Sequence, residues 1–487
     1  MSSFLISLAV RIGGYFIYGL LVEKIFGIDP GRPTPALKKA DGVDFVPMPA
    51  WKIFLIQFLN IAGLGPIFGA IMGMMFGPAA YLWIVLGTIF AGAVHDYISG
   101  MISLRSGGSS LPEIVGKELG TPVKHVMRGF SVVLLILVGG VFVVTTSGLI
   151  ASMTPDWLDT SFWAIVIFAY YLLATMFPID KVIGNIYPLF AIVLIFMAIA
   201  LMWVMLSGSV AMPDPFAGGL GNRYPDAARS THPIFPMLFI SIACGAISGF
   251  HATQSPMMAR CMKNERLGRP VFYGAMVAEG IVALIWAAAA ISFTGSYQGL
   301  ADYMAQPGHT PSSLIHDLSL SWLGSVGGII AIIGVIAAPI TTGDTALRSA
   351  RLIVADFTGF AQKRLWQRAL VSIPLFALTF LVMSIDFNVL WRYFAWCNQA
   401  LSVFTLWACT VYLARHGRKW AITLLPAMFM TVVTVSYILV APHPEGFGLP
   451  YPLAIGAGIA VATAFTAMFA RSLRSLRSLP SFITNPE

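Results

Sequence analysis

The residues of this sequence best suited to chemistry are ionisable side chains inside apolar stretches: His95, Asp96, His251, Glu279 and Asp344. An ionisable group in hydrocarbon is costly, and it is usually kept because it binds an ion, carries a proton or pairs with another group. We interpret His95 and the three carboxylates as candidates for coupling to a cation or proton. His251 could bind an anionic substrate, or it could titrate, because imidazole changes charge near neutral pH.

Each of these groups also has a purely structural interpretation. Asp96 could form an ion pair with Arg105, and Asp344 could pair with Arg348, four residues further along a helix. Glu279 could be a structural carboxylate, and either histidine could be a hydrogen-bonded packing residue. The sequence leaves both interpretations open for every group.

A first apolar stretch, residues 57–77, is interrupted in the middle of its span by Asn60, Gly63, Gly65 and Pro66. Proline removes a backbone donor and glycine adds backbone freedom. Within a membrane, irregular backbone persists only against protein or a water-filled cavity. We therefore predict a broken helix here, with Asn60, Gly63 and Gly65 in contact with substrate.

The same stretch carries a row of glycines four residues apart, which predicts a smooth face for close helix contact. The members of this row are Gly65, Gly69, Gly73 and Gly77.

A second apolar stretch, residues 242–258, is interrupted in a similar way. Its candidates for substrate contact are Gly245, Ser248, His251, Gln254 and Ser255. Two interrupted helices in corresponding halves of a chain indicate the midplane binding site of a transporter. The alternative is a proline-kinked, tightly packed helix in which Gln254 and Ser255 act as helix caps.

A third group of polar residues lies around Thr341 and Thr342. Pro339 and Gly343 should loosen the helix there and free backbone carbonyls, while the threonines and Asp344 add oxygen ligands. Hard cations prefer oxygen-rich sites. We predict Na⁺ at Thr341 and Thr342 as one alternative for the coupling ion.

No other metal site and no cofactor is predicted. The four cysteines lack metal-ligand spacing and are interpreted as buried, inert thiols; they are Cys244, Cys261, Cys397 and Cys409. The sequence contains no ATP-binding loop, no metalloprotease motif and no nucleophile elbow, so we expect neither an enzyme nor a transporter driven by its own ATP site.

Composition sets the class of protein. Of 487 residues, 57% are hydrophobic and only 10% are charged, with a mean hydropathy of +0.82. A soluble chain carries about 25% charged residues. We therefore predict an all-α polytopic membrane protein in contact with a lipid bilayer. The net charge of +8 lies mostly in short loops, so nucleic acid is not expected as a partner. Arg11 and Arg392 are interpreted as cations that extend toward the membrane surface.

About thirteen segments have the length and apolarity of a membrane helix. They cover residues 3–22, 51–76, 79–104, 128–150, 161–178, 182–206, 234–259, 271–293, 324–346, 368–384, 388–412, 418–440 and 451–470.

Lysine and arginine alternate between the loops that join these segments, which predicts an amino terminus outside and a carboxyl terminus in the cytoplasm. The broken helices are then the second and the seventh, and they start on opposite sides of the membrane. This arrangement predicts two inverted five-helix repeats, 51–206 and 234–412, joined by an extracytoplasmic loop, 207–233. Residues 1–50 would be a peripheral helix with a cytoplasmic loop, and 413–487 two peripheral helices with a cytoplasmic tail.

Four runs of sequence resemble the carbon starvation protein CstA family. They are GPIFGAIMG, AGAVHDYISGMISLRSGGSSLPEIVGKELG, CGAISGFHATQSPMMARCMKNE and APITTGDTALRSARLIVADF. The resemblance implies a bacterial inner-membrane carrier of peptides or of pyruvate, the latter coupled to protons, with a LeuT-like fold. By this resemblance, 60–66 and 245–254 match the two unwound helices that hold substrate, and Thr341 and Thr342 match a cation-binding region.

We therefore expect a secondary active transporter that imports a small carboxylate by alternating access, coupled to a proton or sodium gradient. A substrate-gated channel and a membrane sensor without coupled transport are the alternatives. The sequence leaves open whether the substrate is pyruvate or a peptide and whether the coupling ion is a proton or sodium. It also leaves the oligomeric state open, with a homodimer as one alternative.

Overall fold

The chain is helical throughout the residues that the computed structural model describes, which are 1–42, 44–176, 179–362 and 364–478. Besides the single turns Pro35–Lys38 and Asp226–Arg229, seventeen helices are named here. They are α1 (Ser2–Phe26), α2 (Ala50–Ala62), α3 (Gly65–Met74), α4 (Ala79–Arg105), α5 (Leu111–Leu119), α6 (Thr121–Ala151), α7 (Thr160–Met176), α8 (Ile179–Leu206), α9 (Ile234–Ser241), α10 (Gly249–Ala259), α11 (Glu265–Thr294), α12 (Tyr297–Met304), α13 (Pro311–Thr358), α14 (Leu365–Val382), α15 (Phe387–Arg415), α16 (Ala421–Val440) and α17 (Tyr451–Ser478).

Ten of these helices are long and apolar enough to cross a membrane, and the bent pair α2 and α3 makes an eleventh span if it is counted as one. Helix α7 is apolar but shorter. Helices α9 and α10 are two short pieces of the predicted seventh segment. The prediction of an all-α polytopic membrane protein is thus confirmed.

The sequence predicts no helix in the gap 294–323 between the segments 271–293 and 324–346. This is wrong, because most of the gap is helical. Helix α12 lies within it, and α13 begins at Pro311 instead of near residue 324. Thr310 caps α13: its hydroxyl accepts from the Ser313 N–H at 3.3 Å, and the Ser313 hydroxyl accepts from the Thr310 N–H at 2.8 Å. Gly324, at φ 69° and ψ −177°, bends the helix where the sequence had suggested its start.

The basic loops meet on one face of the molecule, as their predicted common side requires. The contacts that join them include Arg105 Nη2 to Glu265 Oε2 (2.8 Å), Lys39 Nζ to the Gly107 carbonyl (3.0 Å) and Arg415 Nη1 to Glu118 Oε2 (3.1 Å). At the other ends of the helices, Ser3 donates to Asp214 at 2.6 Å and Tyr297 donates to the Pro215 carbonyl at 2.7 Å.

Candidate functional site

The first break lies between α2 and α3, whose axes differ by 53°. Gly63 adopts φ 46° and ψ −144°, a backbone conformation that residues with a side chain rarely reach. The Thr342 hydroxyl on α13 donates to the Leu59 carbonyl at 3.1 Å, close to the end of α2. The predicted break at Gly63 to Pro66 is confirmed, and the predicted cation residue Thr342 lies against it.

The second break covers residues 242–248, between α9 and α10. The Gln399 side chain on α15 donates to the carbonyls of Ala243 at 3.2 Å and Ile247 at 3.1 Å. These bonds replace the helical bonds that an unwound segment loses, which is the condition for irregular backbone inside a membrane.

Asn398, the neighbour of Gln399, fixes the end of the same break. Its Oδ1 accepts from the Ser248 hydroxyl at 3.0 Å and from the Phe250 N–H at 2.7 Å. Sequence analysis missed both amides. The available signal was the adjacent Asn and Gln within an apolar helix.

Three predicted substrate residues lie outside the irregular stretch. His251, Gln254 and Ser255 belong to the regular helix α10, which starts at Gly249. The last residue that the amides of α15 hold is Phe250, whose N–H donates to Asn398 Oδ1 at 2.7 Å, and the regular helix continues from there. The Ser255 hydroxyl donates to the His251 carbonyl at 3.0 Å, an ordinary bond within a helix.

The two breaks touch each other through the predicted glycine face. A Cβ placed on any of three glycines of α3 would collide with the second break or with the end of α9. The pairs are Gly65 with Cys244, Gly69 with Ser241 and Gly73 with Ile242. The prediction of close helix contact is therefore confirmed, and its partner is the other broken segment.

Four buried titratable residues form a continuous chain beside this contact. Nδ1 of His95 and Nδ1 of His251 lie 2.7 Å from Oδ1 and Oδ2 of Asp96, respectively. An ionised carboxylate has no proton to give, so both imidazoles donate to it. Nε2 of His251 then lies 3.5 Å from Oε2 of Glu279 on α11. All four side chains are inaccessible to solvent.

This geometry removes one structural alternative for Asp96. The ion pair with Arg105 is wrong, because Arg105 binds Glu265 at 2.8 Å.

Both oxygens of Glu279, and Nε2 of His95 and of His251, have no hydrogen-bond partner among the described residues.

Arg11 on α1 is a member of the site that sequence analysis missed. The expected position at the membrane surface is wrong, because the side chain is fully buried. Its guanidinium donates to the Ile84 carbonyl and to the Thr88 hydroxyl, the latter at 3.1 Å. It also lies against Gly280, the residue after Glu279. Glu279 is close enough for its charge to act on Arg11, while Nε and Nη1 of Arg11 have no hydrogen-bond partner among the described residues.

Buried amides near the breaks have polar atoms without partners. Both side-chain atoms of Asn60 and of Gln57, and Oε1 of Gln254, make no hydrogen bond within the described part of the chain. Nε2 of Gln254 donates to the Thr253 hydroxyl at 2.9 Å. Such atoms are rare in native proteins and are typical of places where a ligand or water completes the bonding.

Asp344 belongs to a second polar cluster on α13. Its Oδ2 accepts from the Tyr187 hydroxyl at 2.6 Å, and Oδ1 has no partner in the described residues. Tyr187 is thus a partner of Asp344 that the sequence had not indicated, and the charge of Arg348 also acts on this carboxylate. The Tyr187 hydroxyl also lies 3.1 Å from the carbonyl of Thr341.

The carbonyls that Pro339 and Gly343 were expected to free are partly taken by tyrosines. Tyr171 donates to the Pro339 carbonyl at 2.9 Å. The Thr341 hydroxyl bonds back to the carbonyls of Ala337 and Ala338 within its own helix, at 2.9 and 2.8 Å.

A vestibule of about 450 Å³ opens above the first break, on the face of the molecule where α13 begins. Its wall includes Phe68 on α3, Thr145 on α6 and His316 on α13. A row of aromatic rings in tilted or edge-on contact leads from its wall to Gly63. Their centroid distances are 5.6 Å for Phe68 and Trp391, 5.5 Å for Trp391 and Phe394, and 5.9 Å for Phe394 and Phe142, whose ring lies against Gly63.

These features define an integral, multi-pass membrane protein with two interrupted helices packed against each other. The family model of the carbon starvation protein CstA matches residues 1–211 and 152–319, and the chain therefore belongs to that family.

Relatives within the family carry transport functions. The chain is 26% identical over 561 aligned positions to the peptide transporter CstA of Campylobacter jejuni, covering 89% of this chain and 79% of that protein. It is 27% identical over 345 positions to the pyruvate/proton symporter BtsT of Escherichia coli, covering 57% of this chain and 47% of that protein. A membrane protein of Haemophilus influenzae is 44% identical over 344 positions, covering 61% of this chain and 93% of that protein.

A solved structure shares the fold. The manganese transporter of Eremococcus coleocola superposes with a TM-score of 0.54 at 12% identity, covering 90% of this chain and 99% of that one. This similarity concerns the fold alone.

Proposed function

We propose that this protein is a secondary active transporter that imports a small carboxylate, a peptide or pyruvate, across the bacterial inner membrane by alternating access. The observation that carries the proposal is the contact between the two broken helices, at Gly65 and Cys244, inside the apolar core. Two helices that are interrupted at the same place provide backbone groups for a polar solute that hydrocarbon would exclude.

The substrate carboxylate would bind near the amino end of α3. The first N–H groups of a helix lack intrahelical partners and carry partial positive charge. The side-chain amide of Asn60 and Oε1 of Gln254, which have no partner within the described residues, support this position, as do Gly63, Gly65 and Gly245 at the breaks. Ser248 and Ser255 have bonds within the protein, so we assign them a supporting role, and His251 is the candidate cation for the carboxylate.

For the architecture we propose thirteen spans, with inverted repeats 51–206 and 234–412 in a LeuT-like arrangement. One local feature supports the repeat. Helices α4 and α11 occupy corresponding positions, and each has a widened π-helical segment four residues after its start, at Trp83–Gly92 and Arg269–Gly274. Each also carries a buried carboxylate, Asp96 or Glu279. The grouping of basic loops supports an amino terminus outside and a cytoplasmic carboxyl terminus, of which residues 479–487 lie outside the described part.

For coupling we propose a proton or a sodium ion, and the first candidate is the cluster of Thr341, Thr342 and Asp344. Thr342 touches the first break, and Asp344 has a free oxygen within the described structure. Occupancy of this cluster would therefore be felt at the substrate position. His95, Asp96 and Glu279 are the second candidates. One unit charge moving through 100 mV supplies about 2.3 kcal/mol, which is roughly a fiftyfold accumulation.

Uptake into proteoliposomes tests the proposal. Labelled pyruvate and a labelled dipeptide are offered separately, each under an imposed proton gradient and an imposed sodium gradient. We expect concentrative uptake of one substrate under one gradient. Size-exclusion chromatography checks that the protein is folded. If folded protein takes up neither substrate under either gradient, it is not a coupled carrier of these substrates.

Two variants then examine the assigned residues. Asn60→Ala should weaken substrate binding at least tenfold, and Asp344→Asn should reduce the accumulation ratio while leaving exchange of substrate intact. Ser436→Ala is the matched control, because this hydroxyl is also buried and partnerless in the described structure but lies on the peripheral helix α16. Equal behaviour of Asn60→Ala and Ser436→Ala would remove Asn60 from the site.

A further inference from the structure

We infer that Cys244, His251 and Glu279 form a binding site for one thiophilic divalent cation of the Zn²⁺ class. The three residues come from the second break, from α10 and from α11. Each offers one ligand atom, and these atoms all lie within 4.8 Å of one another. All three side chains are buried. The site shares His251 with the proposed carboxylate site and Glu279 with the second candidates for coupling. It is absent from the sequence pattern because Glu279 lies far from the other two residues along the chain.

The distances fit a shared ion. Nε2 of His251 and Oε2 of Glu279 are 3.5 Å apart. Two ligands bound at about 2.0–2.2 Å to a tetrahedral ion are separated by roughly 3.3–3.6 Å. The Cys244 sulfur needs a movement of about an ångström to reach its bonding distance of roughly 2.3 Å. The segment that carries this sulfur is unwound, so it has no regular helix to hold it in place.

The unused atoms point to the same site. Nε2 of His251 and both oxygens of Glu279 are buried and have no hydrogen-bond partner within the described residues. His251 donates its other ring N–H to Asp96 at 2.7 Å. A metal-binding histidine almost always makes such a bond, since it fixes the ring and leaves the lone pair of the opposite nitrogen for the ion.

The surroundings of Cys244 suit a thiolate. Nδ2 of Asn398 donates to the Cys244 sulfur at 3.3 Å, and the Cys244 thiol donates to the Ser248 hydroxyl at 3.7 Å, a proton that metal binding would release. The ligand must be deprotonated for binding, and donors directed at sulfur favour that form.

The charges also balance. With an ion bound, Asp96, Glu279 and a thiolate at Cys244 would bring three negative charges, and Arg11, whose charge acts on Glu279, would bring one positive charge. The two remaining negative charges match one dication. Sodium and magnesium prefer oxygen ligands alone, whereas a set of sulfur, imidazole and carboxylate is typical of zinc. Three protein ligands leave a fourth position for water.

Cobalt provides the test, because Co²⁺ occupies zinc sites and absorbs visible light. The full chain, purified in detergent without a polyhistidine tag and treated with chelator, is titrated with Co²⁺. We expect one equivalent to bind, with tetrahedral d–d bands and a thiolate charge-transfer band, and Zn²⁺ to displace it. Cys244→Ser should abolish the charge-transfer band, and Glu279→Gln should weaken binding at least tenfold.

Cys409→Ser is the control, since Cys409 is equally buried but lies on α15 outside the group. It should leave the spectrum unchanged. X-ray absorption on the zinc-loaded wild-type chain gives an answer that does not depend on any variant folding. One sulfur and two or three nitrogen or oxygen neighbours are expected. A first shell without sulfur, failure to bind one equivalent, or a charge-transfer band that survives Cys244→Ser would overturn the inference.

Discussion

Removing the Asn398 side chain should loosen the second break specifically. In the native chain its Oδ1 accepts from the Ser248 hydroxyl and the Phe250 N–H, and its Nδ2 donates to the Ala243 carbonyl at 3.3 Å. After Asn398→Ala, Ala243 keeps its bond from Gln399, but the Ser248 and Phe250 donors lose their acceptor. All of these groups are buried, so water does not replace it.

The magnitude follows from the two stranded donors. A buried donor without an acceptor costs about 1–3 kcal/mol, so the pair costs about 2–6 kcal/mol. Each 1.4 kcal/mol is a factor of ten in an equilibrium constant. If the break opens locally, amide hydrogen exchange across residues 243–250 should speed up by roughly thirtyfold or more.

The assay is hydrogen exchange followed by mass spectrometry on the detergent-solubilised chain. Thr405→Val is the matched control, because its hydroxyl is buried on the same helix and bonds only to the Leu401 carbonyl at 2.9 Å within the described residues. We expect it to leave residues 243–250 unchanged. Exchange in Asn398→Ala within threefold of the wild type would show that the amide does not hold the break.

Two further predictions concern packing and pH. Gly249→Ala should prevent folding or abolish uptake, because its Cβ would collide with the backbone of α15. Gly456→Ala is the control, since a Cβ there meets open space and should be neutral. Thermal unfolding and uptake of both variants check this prediction. At Glu113, burial alone would raise the pKa, but hydrogen bonds and charges from Lys124 and Arg128 outweigh it and hold the pKa below its ordinary value of 4.5. A pKa that is lowered in the folded state stabilises the protein at pH values above the ordinary pKa. This stabilisation is lost as the pH falls through the folded-state pKa. The difference in protection of α5 between wild type and Glu113→Gln should thus be present at pH 7 and decrease as the pH falls below 4.5 toward the folded-state pKa; a difference that does not decrease in that range would contradict the assignment.

Sequence analysis located both breaks because their cause is local. Proline, glycine and polar residues within an apolar run disrupt a helix wherever the chain goes, and Gly63 shows the expected unusual backbone. The limits of the second break were wrong for a different reason. His251 is helical because Asn398 and Gln399, about 150 residues away in sequence, decide where the unwound segment ends.

Partnership between distant residues could not be predicted from one sequence. Arg11 lies well inside α1, and only the packing of α1 against α4 and α11 places it near Glu279. For Asp344 the structural partner considered was the nearest cation along its helix, and the bond from Tyr187 on another helix was not foreseen. The candidate residues were thus identified by type, but their grouping into a chain required the fold.

The glycine face of α3 has a mechanical consequence. Where Gly65, Gly69 and Gly73 meet residues 241–244, no side chain of α3 stands between the two chains to absorb a displacement. We therefore expect a small rotation of α3 to displace residues 241–244, and a rotation of these residues to displace α3.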